Sequence, residues 1–422
     1  MSRTVIRSEE RTHLPFAYQS RLRQTHGCHF KFTEPNVNAG RGPHEVASTS
    51  WLIARRQLRR FQVKWYWCFR AGARGAYQGG VYQALHEAGI EPNWVIGTSI
   101  GAINGAIIAG NEPGKRLSQI SKFWDRMERK PIWDQGPLAL IGGNVAAQMM
   151  TIFGGIAGYF TPNRDLAWGL HAPIGVERAG FYSIEALHET LNSVVDFSRI
   201  NSGQPRLTVG AVNVRSGRMH YFDSRNMPIT LKHVLASGAL PPAFPAVRID
   251  GGPYWDGGIY SNTPIETVFD DHPRRDSIVF TVQMWHAEGP EPESVWQVLN
   301  RQKDIQFASR ANSHIARQEH IHQLRHIVRE LVRLMPEAQR ETPEVKELAG
   351  YGCGTFMHIV RLKAPRLDNE DHLRDIDFTS AGVHARWQAG FADTTRMLER
   401  RPWEAPIDPM AGVAVHDSDI HL

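Results

Sequence analysis

The sequence predicts an α/β fold, with a central, mostly parallel sheet flanked by helices and a mainly helical C-terminal extension. Three observations predict it. Between about residues 63 and 290, short apolar runs alternate with helical stretches. A glycine-bracketed "GTSIG" (97–101) joins one such run directly to a helix of small residues. After the proline-rich "EGPEPE" (288–293) the strand-and-helix alternation gives way to a long helical period.

The elements come in this order. Residues 1–62 show no sustained periodicity and read as an irregular leader. "AYQGGVYQALHEAG" reads as a helix closed by Gly89, "WVIG" as a short buried strand, and "SIGAINGAIIAG" as a closely packing helix. Strands are expected at 206–214, 219–223 and 277–285. "ITLKHVLASGAL" reads as a helix that ends near Gly238, ahead of a Pro241-Pro242 stop. Residues 295–335 form a helix whose apolar face carries Ile305, Ala308, Ile315, Leu324, Ile327, Val328 and Leu331. A strand at 356–362 and a helix at about 381–399 come next. The expected organisation is a leader (1–62), an α/β domain (63–290), a helical C-terminal domain (295–400) and a tail (401–422), without internal repeats.

Composition bounds the function. At 422 residues, 41% hydrophobic and 22% charged, the chain reads as a soluble globular protein. Net charge is +5, but residues 1–75 hold 14 Lys and Arg against 4 Glu, which leaves the remainder at −5. A solvated basic arm is the expectation, with no nucleic-acid partner. Cys28, Cys68 and Cys353 form no framework or C-x-x-C pair, and the first 30 residues hold no apolar core of a secretory signal. A cytoplasmic location is expected. Residues 135–163 contain no Asp, Glu, Lys or Arg. Their length would span a bilayer, yet the five glycines between Gly142 and Gly158, with Asn144 and Gln148, point to an apolar wall or lid instead.

Three constellations carry chemistry. Ser99, at the "GTSIG" elbow, would project its hydroxyl from the sheet, with Gly97 and Gly101 permitting a tight turn and the following helix dipole favouring negative charge. G-x-S-x-G alone is a weak motif, and a plain βα turn is the alternative. Serine requires a base, and none of the 20 histidines has a convincing neighbourhood. Asp256, followed by Gly257 and Gly258, is the other candidate, although Asp-Gly-Gly read alone is a turn. "GARG", Gly72-Ala73-Arg74-Gly75, opens a helix and could hold an oxyanion on backbone N–H groups. Neither a complete G-x-G-x-x-G nor a P-loop is present. His322 and His326 are spaced i, i+4 but lack a third ligand. No metal and no cofactor are expected. The basic residues of that helix read as a solvated face, with membrane-surface contact as the alternative.

Taken together, "GARGAYQGGVYQALHEAGIEPNWVIGTSIGAINGAIIAGN" and "ASGALPPAFPAVRIDGGPYWDGGIYSNTPI" resemble the bacterial patatin-like phospholipases over residues 63–290. "RQKDIQFASRANSHIARQ" and the residues beyond it are similar to an uncharacterised domain that trails the patatin module in bacteria. The resemblance implies a patatin-like core and a Ser99–Asp256 dyad that cleaves lipid esters through an acyl-enzyme. It implies oxyanion donors around Ala71, Gly72 and Ala73, with Arg74 bracing the loop, and a lipid or acyl-ester substrate met by peripheral membrane contact. The competing readings are a lipid-binding or regulatory protein without turnover, and an acyltransferase. No oligomeric state is implied.

One stretch departs from the family. Its loop begins with glycines after an apolar strand, whereas here Arg70 and Ala71 follow "KWYWCF". Codons for Trp65-Tyr66-Trp67-Cys68, read from each third base, must spell Val-Leu-Val. With suitable codons from Lys64 through Ala71 that frame reads Val-Val-Leu-Val-Leu-Ser-Gly-Gly. The expectation is that residues before about Gly72 are written out of frame.

Overall fold

The computed structural model describes residues 62–67, 73–128, 154–156, 158–261, 264–366, 377–406 and 408–418. Residues 1–61 of the leader, Cys28 and Cys68, the loop residues Arg70, Ala71 and Gly72, and residues 135–153 and 157 of the uncharged stretch lie outside the described residues.

Strand β1 (Gln62–Trp67) is followed by a 3-10 turn at Ala73–Gly75 that runs into α1 (Ala76–Glu87). Gly89, at φ 69°, reverses the chain behind α1 in a conformation that side chains resist. Strand β2 (Trp94–Thr98) and helix α2 (Ile100–Ala109) are buried along their whole length. Apart from Asn104, α2 is built of Ile, Ala and Gly, small or apolar residues that can be buried on every side. Helix α3 (Pro113–Met127) is amphipathic and buries Ile120, Phe123, Trp124 and Met127. The two-residue strands β3 (Thr161–Pro162) and β4 (Tyr182–Ser183) pair antiparallel, and α4 (Glu185–Val194) follows. Next come β5 (Arg206–Asn213), β6 (Met219–Asp223), α5 (Leu231–Gly238), β7 (Val247–Ile249), β8 (Gly252–Asp256) and β9 (Ser277–Gln283).

The C-terminal part supplies α6 (Val295–Leu334), β10 (Met357–Lys363), α7 (Ser380–Arg400) and β11 (Val413–Asp417). A capping box of Ser294 and Gln297 starts the 40-residue α6. Among the described residues nine strands form one sheet. Strands β11, β10, β9, β1, β2 and β5 run parallel in that spatial order, while β6, β8 and β7 are antiparallel additions. The segment from 295 onward is mostly helical, yet it extends this same sheet through β10 and β11.

Helix α7 packs on α1 at backbone contact distance. A Cβ added at Gly80 would overlap the Trp387 carbonyl oxygen, and one at Gly390 would overlap that of Tyr77. The Tyr77 hydroxyl donates to Asp393 (2.8 Å) and the Trp387 indole N–H to Gln83 (2.6 Å). Small residues at the crossing therefore let polar groups on both flanks bond.

Strands β7, β8 and β11 were not expected from the sequence. The first two are short and flank the turn at Asp250-Gly251, where both residues have positive φ, and β11 lies in the stretch read as a tail. Strand β9 stops at Gln283 rather than 285, and Trp285 turns aside to meet Arg74.

Candidate active site

Ser99 links β2 to α2 with φ 58° and ψ −131°, a conformation costing a non-glycine residue about 1–3 kcal/mol. Its surroundings hold it there. A Cβ on Gly97 would overlap the Gly101 backbone, so strand and helix approach as closely as two glycines allow. The Ser99 carbonyl accepts from Ala102 (2.9 Å) and Ile103 (3.3 Å), which starts α2. Its N–H donates to the carbonyl (3.1 Å) and hydroxyl (3.0 Å) oxygens of Ser237, at the end of α5. The Ser237 hydroxyl in turn donates to the Gly210 carbonyl of β5 (2.6 Å). Ser99 is 8% exposed and stands at the positive end of the α2 dipole.

Asp256 ends β8 and is fully buried. One carboxylate oxygen accepts from the Gly258 N–H (2.7 Å), and the Asp256 N–H donates to the Ala239 carbonyl (2.9 Å). A Cβ on Gly257 would press on the Gly210 carbonyl. The sheet register relates the two residues. Strand β6 takes one edge of β5 from Thr208 to Val212. The other edge is shared, with β2 pairing as far as Thr98↔Gly210 and β8 beginning at Ala211↔Asp256. The ends of β2 and β8 therefore meet along one edge of β5, and Ser99 and Asp256 are brought together there.

Of the expected loop, Ala73, Arg74 and Gly75 are described and buried. The Arg74 guanidinium lies over the Trp285 ring (5.2 Å), which packs on Phe307 of α6 (4.9 Å). Burial, followed by the charge of Arg74, lowers the pKa of neighbouring His286, whose Nε2 faces the Ala364 carbonyl at 2.7 Å. A Cβ on Gly75 would overlap Ile100, so the 3-10 turn leans directly on the first turn of α2.

Two positioning residues escaped sequence reasoning. Asn104, buried in α2, donates to the Gly75 carbonyl (3.2 Å) and to Gln78 (2.8 Å) and accepts from the Trp124 indole (3.2 Å). It ties the loop to the elbow helix. Ser237 is the other. An asparagine inside an apolar helix was the only available signal for the first, and "LASGAL" carried none for the second.

From the uncharged stretch, Tyr159 packs on Phe160 (5.4 Å), Phe244 (6.0 Å) and Phe378 (6.0 Å). Burial, reinforced by the Asp256 charge, pushes its phenol pKa far up and keeps the hydroxyl protonated. No described helix is long and apolar enough to cross a membrane. The Nε2 atoms of His322 and His326 both face the Thr355 carbonyl, at 2.8 and 2.9 Å. Among the described residues no cluster of three metal-ligand side chains occurs.

Residues 71–269 match the family model described as patatin-like phospholipase, and residues 305–410 match a second described as patatin phospholipase. No curated protein matches the chain in sequence. Among solved structures, VipD from Legionella pneumophila is 17% identical over 81% of this chain and 67% of its own, at TM-score 0.35. Human GIVD cytosolic phospholipase A2 is 10% identical over 56% and 46%, at 0.30. ExoU, in its complex with SpcU from Pseudomonas aeruginosa, is 16% identical over 80% and 76%, at 0.28. These scores are low, and the family rests on the two sequence models.

Proposed function

Because the chain belongs to the patatin-like phospholipase family, we propose that it is a serine acyl hydrolase of lipid esters working through Ser99 and Asp256. The Ser99 hydroxyl oxygen adds to the ester carbonyl carbon while its proton passes to the Asp256 carboxylate. The tetrahedral oxyanion collapses and the alcohol leaves, taking that proton, so that the acyl group stays on Ser99. Water then adds to the acyl-enzyme, again with Asp256 as base, and the fatty acid departs as Ser99 regains its proton.

The observation that carries this reading is the meeting of β2 and β8 on one edge of β5, with Ser99 strained at one end and buried Asp256 at the other. The α2 dipole and the N–H groups of Ala71, Gly72 and Ala73 would stabilise the oxyanion. One such donor is worth about 3–4 kcal/mol in hydrolases. Arg74, stacked on Trp285, fits a brace for that loop better than a substrate contact.

The test is fatty-acid release from a water-soluble short-chain ester. Ser99→Ala and Asp256→Asn should each lower kcat about a thousandfold or more. Unchanged turnover in either variant contradicts the dyad. A second reading, lipid binding without turnover, draws on Arg70 and Ala71 standing where the family loop carries glycine. Transfer of the acyl group to an alcohol or thiol uses the same intermediate, and product analysis with supplied acceptors separates it from hydrolysis.

A further inference from the structure

Loop 163–181, between β3 and β4, exposes a large apolar tip on a rigid frame. Trp168 is 76% and Leu170 75% exposed. Such exposure is unusual for a tryptophan in ordered structure, where the ring is ordinarily covered at least in part. Gly169 between them, at φ 88°, holds a backbone conformation that side chains resist, and Gly175 repeats it at φ 85°. A Cβ on either glycine would meet nothing within 4 Å.

The frame beneath the tip is tightly bonded. The Asn163 N–H donates to the Phe181 carbonyl (3.0 Å), and its amide donates to the carbonyls of Arg178 (2.8 Å) and Gly180 (2.7 Å). Its side-chain oxygen accepts from the Asp165 N–H (3.0 Å), capping the 3-10 turn Arg164–Trp168. Arg178 grips Asp165 through two hydrogen bonds (2.7 and 2.5 Å). The tip is thus held out by its base, and docking it would cost little ordering entropy.

Its position and charge indicate what covers it. Phe181 and Tyr182 donate to the carbonyls of Pro242 (3.0 Å) and Ala243 (2.8 Å), a few residues beyond Ala239, whose carbonyl holds Asp256. The loop therefore rises from the rim of the candidate site. Its two carboxylates are neutralised, Asp165 by Arg178 and Glu177 by Arg248. Arg164, exposed beside the tip, has no carboxylate at ion-pair distance among the described residues. The exposed Val295, Val298 and Leu299 of α6 follow Glu288, Glu291 and Glu293 and match an anionic surface less well.

We propose that this loop docks the protein on a lipid surface, with Trp168 and Leu170 entering at headgroup level and Arg164 meeting lipid phosphate. An indole suits that depth because its ring is apolar while its N–H still finds a polar partner. The proposal deepens the esterase reading, since it presents the site rim to aggregated substrate, but its own test does not need turnover.

The experiment measures partition of the full chain onto phosphatidylcholine vesicles, with and without phosphatidylglycerol, by co-sedimentation. The variants are Trp168→Ala/Leu170→Ala, Trp168→Phe and Ser99→Ala. The double variant should lose about tenfold or more in partition, Trp168→Phe should retain most of it, and Ser99→Ala should match wild type. The double variant should also hydrolyse a soluble short-chain ester at the wild-type rate while slowing on vesicles. Equal partition of wild type and double variant, or no partition of wild type, overturns the proposal, including in favour of a protein partner at the tip. Tip-dependent partition with no ester hydrolysis by any chain upholds docking and defeats the esterase reading.

Discussion

Ser99 and Asp256 meet end to end along a single edge of β5, for Thr98 pairs with Gly210 and Asp256 with the next residue, Ala211. The same short segment fixes both backbones, because Ser237 receives the Ser99 N–H and Ala239 the Asp256 N–H. Ser237→Ala removes the hydroxyl that links Ser99 to the Gly210 carbonyl. It should cost about 1–2 kcal/mol of stability and lower kcat about tenfold with KM unchanged, as expected for lost positioning. Denaturant unfolding and steady-state kinetics read the two effects.

Helix α7 should prove inseparable from the catalytic half. Gly80→Ala sets a methyl group against the Trp387 carbonyl, and backbone on both sides leaves no soft neighbour to yield. The variant should lose about 3 kcal/mol, as should Gly390→Ala against Tyr77. At Gly114, where an added Cβ meets nothing within 4 Å, alanine should instead be neutral or mildly stabilising. Thermal unfolding distinguishes these outcomes.

Acid should weaken the fold through His322. Burial above all lowers its pKa from 6.5 to about 4, and its Nε2 faces the Thr355 carbonyl. Because the folded value lies below the unfolded one, the unfolded chain takes up the proton first. The stability contribution is full above pH 6.5 and is lost as pH falls toward about 4. His322→Gln retains a donor for Thr355 without the titration. Its melting temperature should fall less than that of wild type over the same interval.

Much of this was legible in the sequence. Helix α1 with its Gly89 stop, strand β2, the elbow at Ser99 and the start of α6 all rest on local signals: periodicity, glycine and capping. Strand β8 was not legible, because it ends in Asp-Gly-Gly, which read alone is a turn, and its pairing with β5 is non-local. The same holds for β11, five residues whose partners in β10 lie 56 positions upstream, as Met357 does from Val413. Asn104 and Ser237 act through bonds to distant backbone, which no spacing rule exposes.

Strand β1 gives the out-of-frame expectation a structural setting. It runs parallel between β9 and β2, and both neighbours are buried along their whole length. Central strands of parallel sheets are near-continuous apolar runs, whereas this one reads "QVKWYW". Replacing residues 64–71 with Val-Val-Leu-Val-Leu-Ser-Gly-Gly should raise both melting temperature and ester turnover. Equal values in the two chains would show that the existing strand and loop suffice.

Covalent labelling with a fluorophosphonate probe, followed by mapping of the modified peptide, tests the Ser99–Asp256 dyad directly. Wild type should be labelled on Ser99, Ser99→Ala should not be labelled, and Asp256→Asn should be labelled far more slowly. Adduct on another serine, or undiminished labelling of Ser99→Ala, would contradict the dyad.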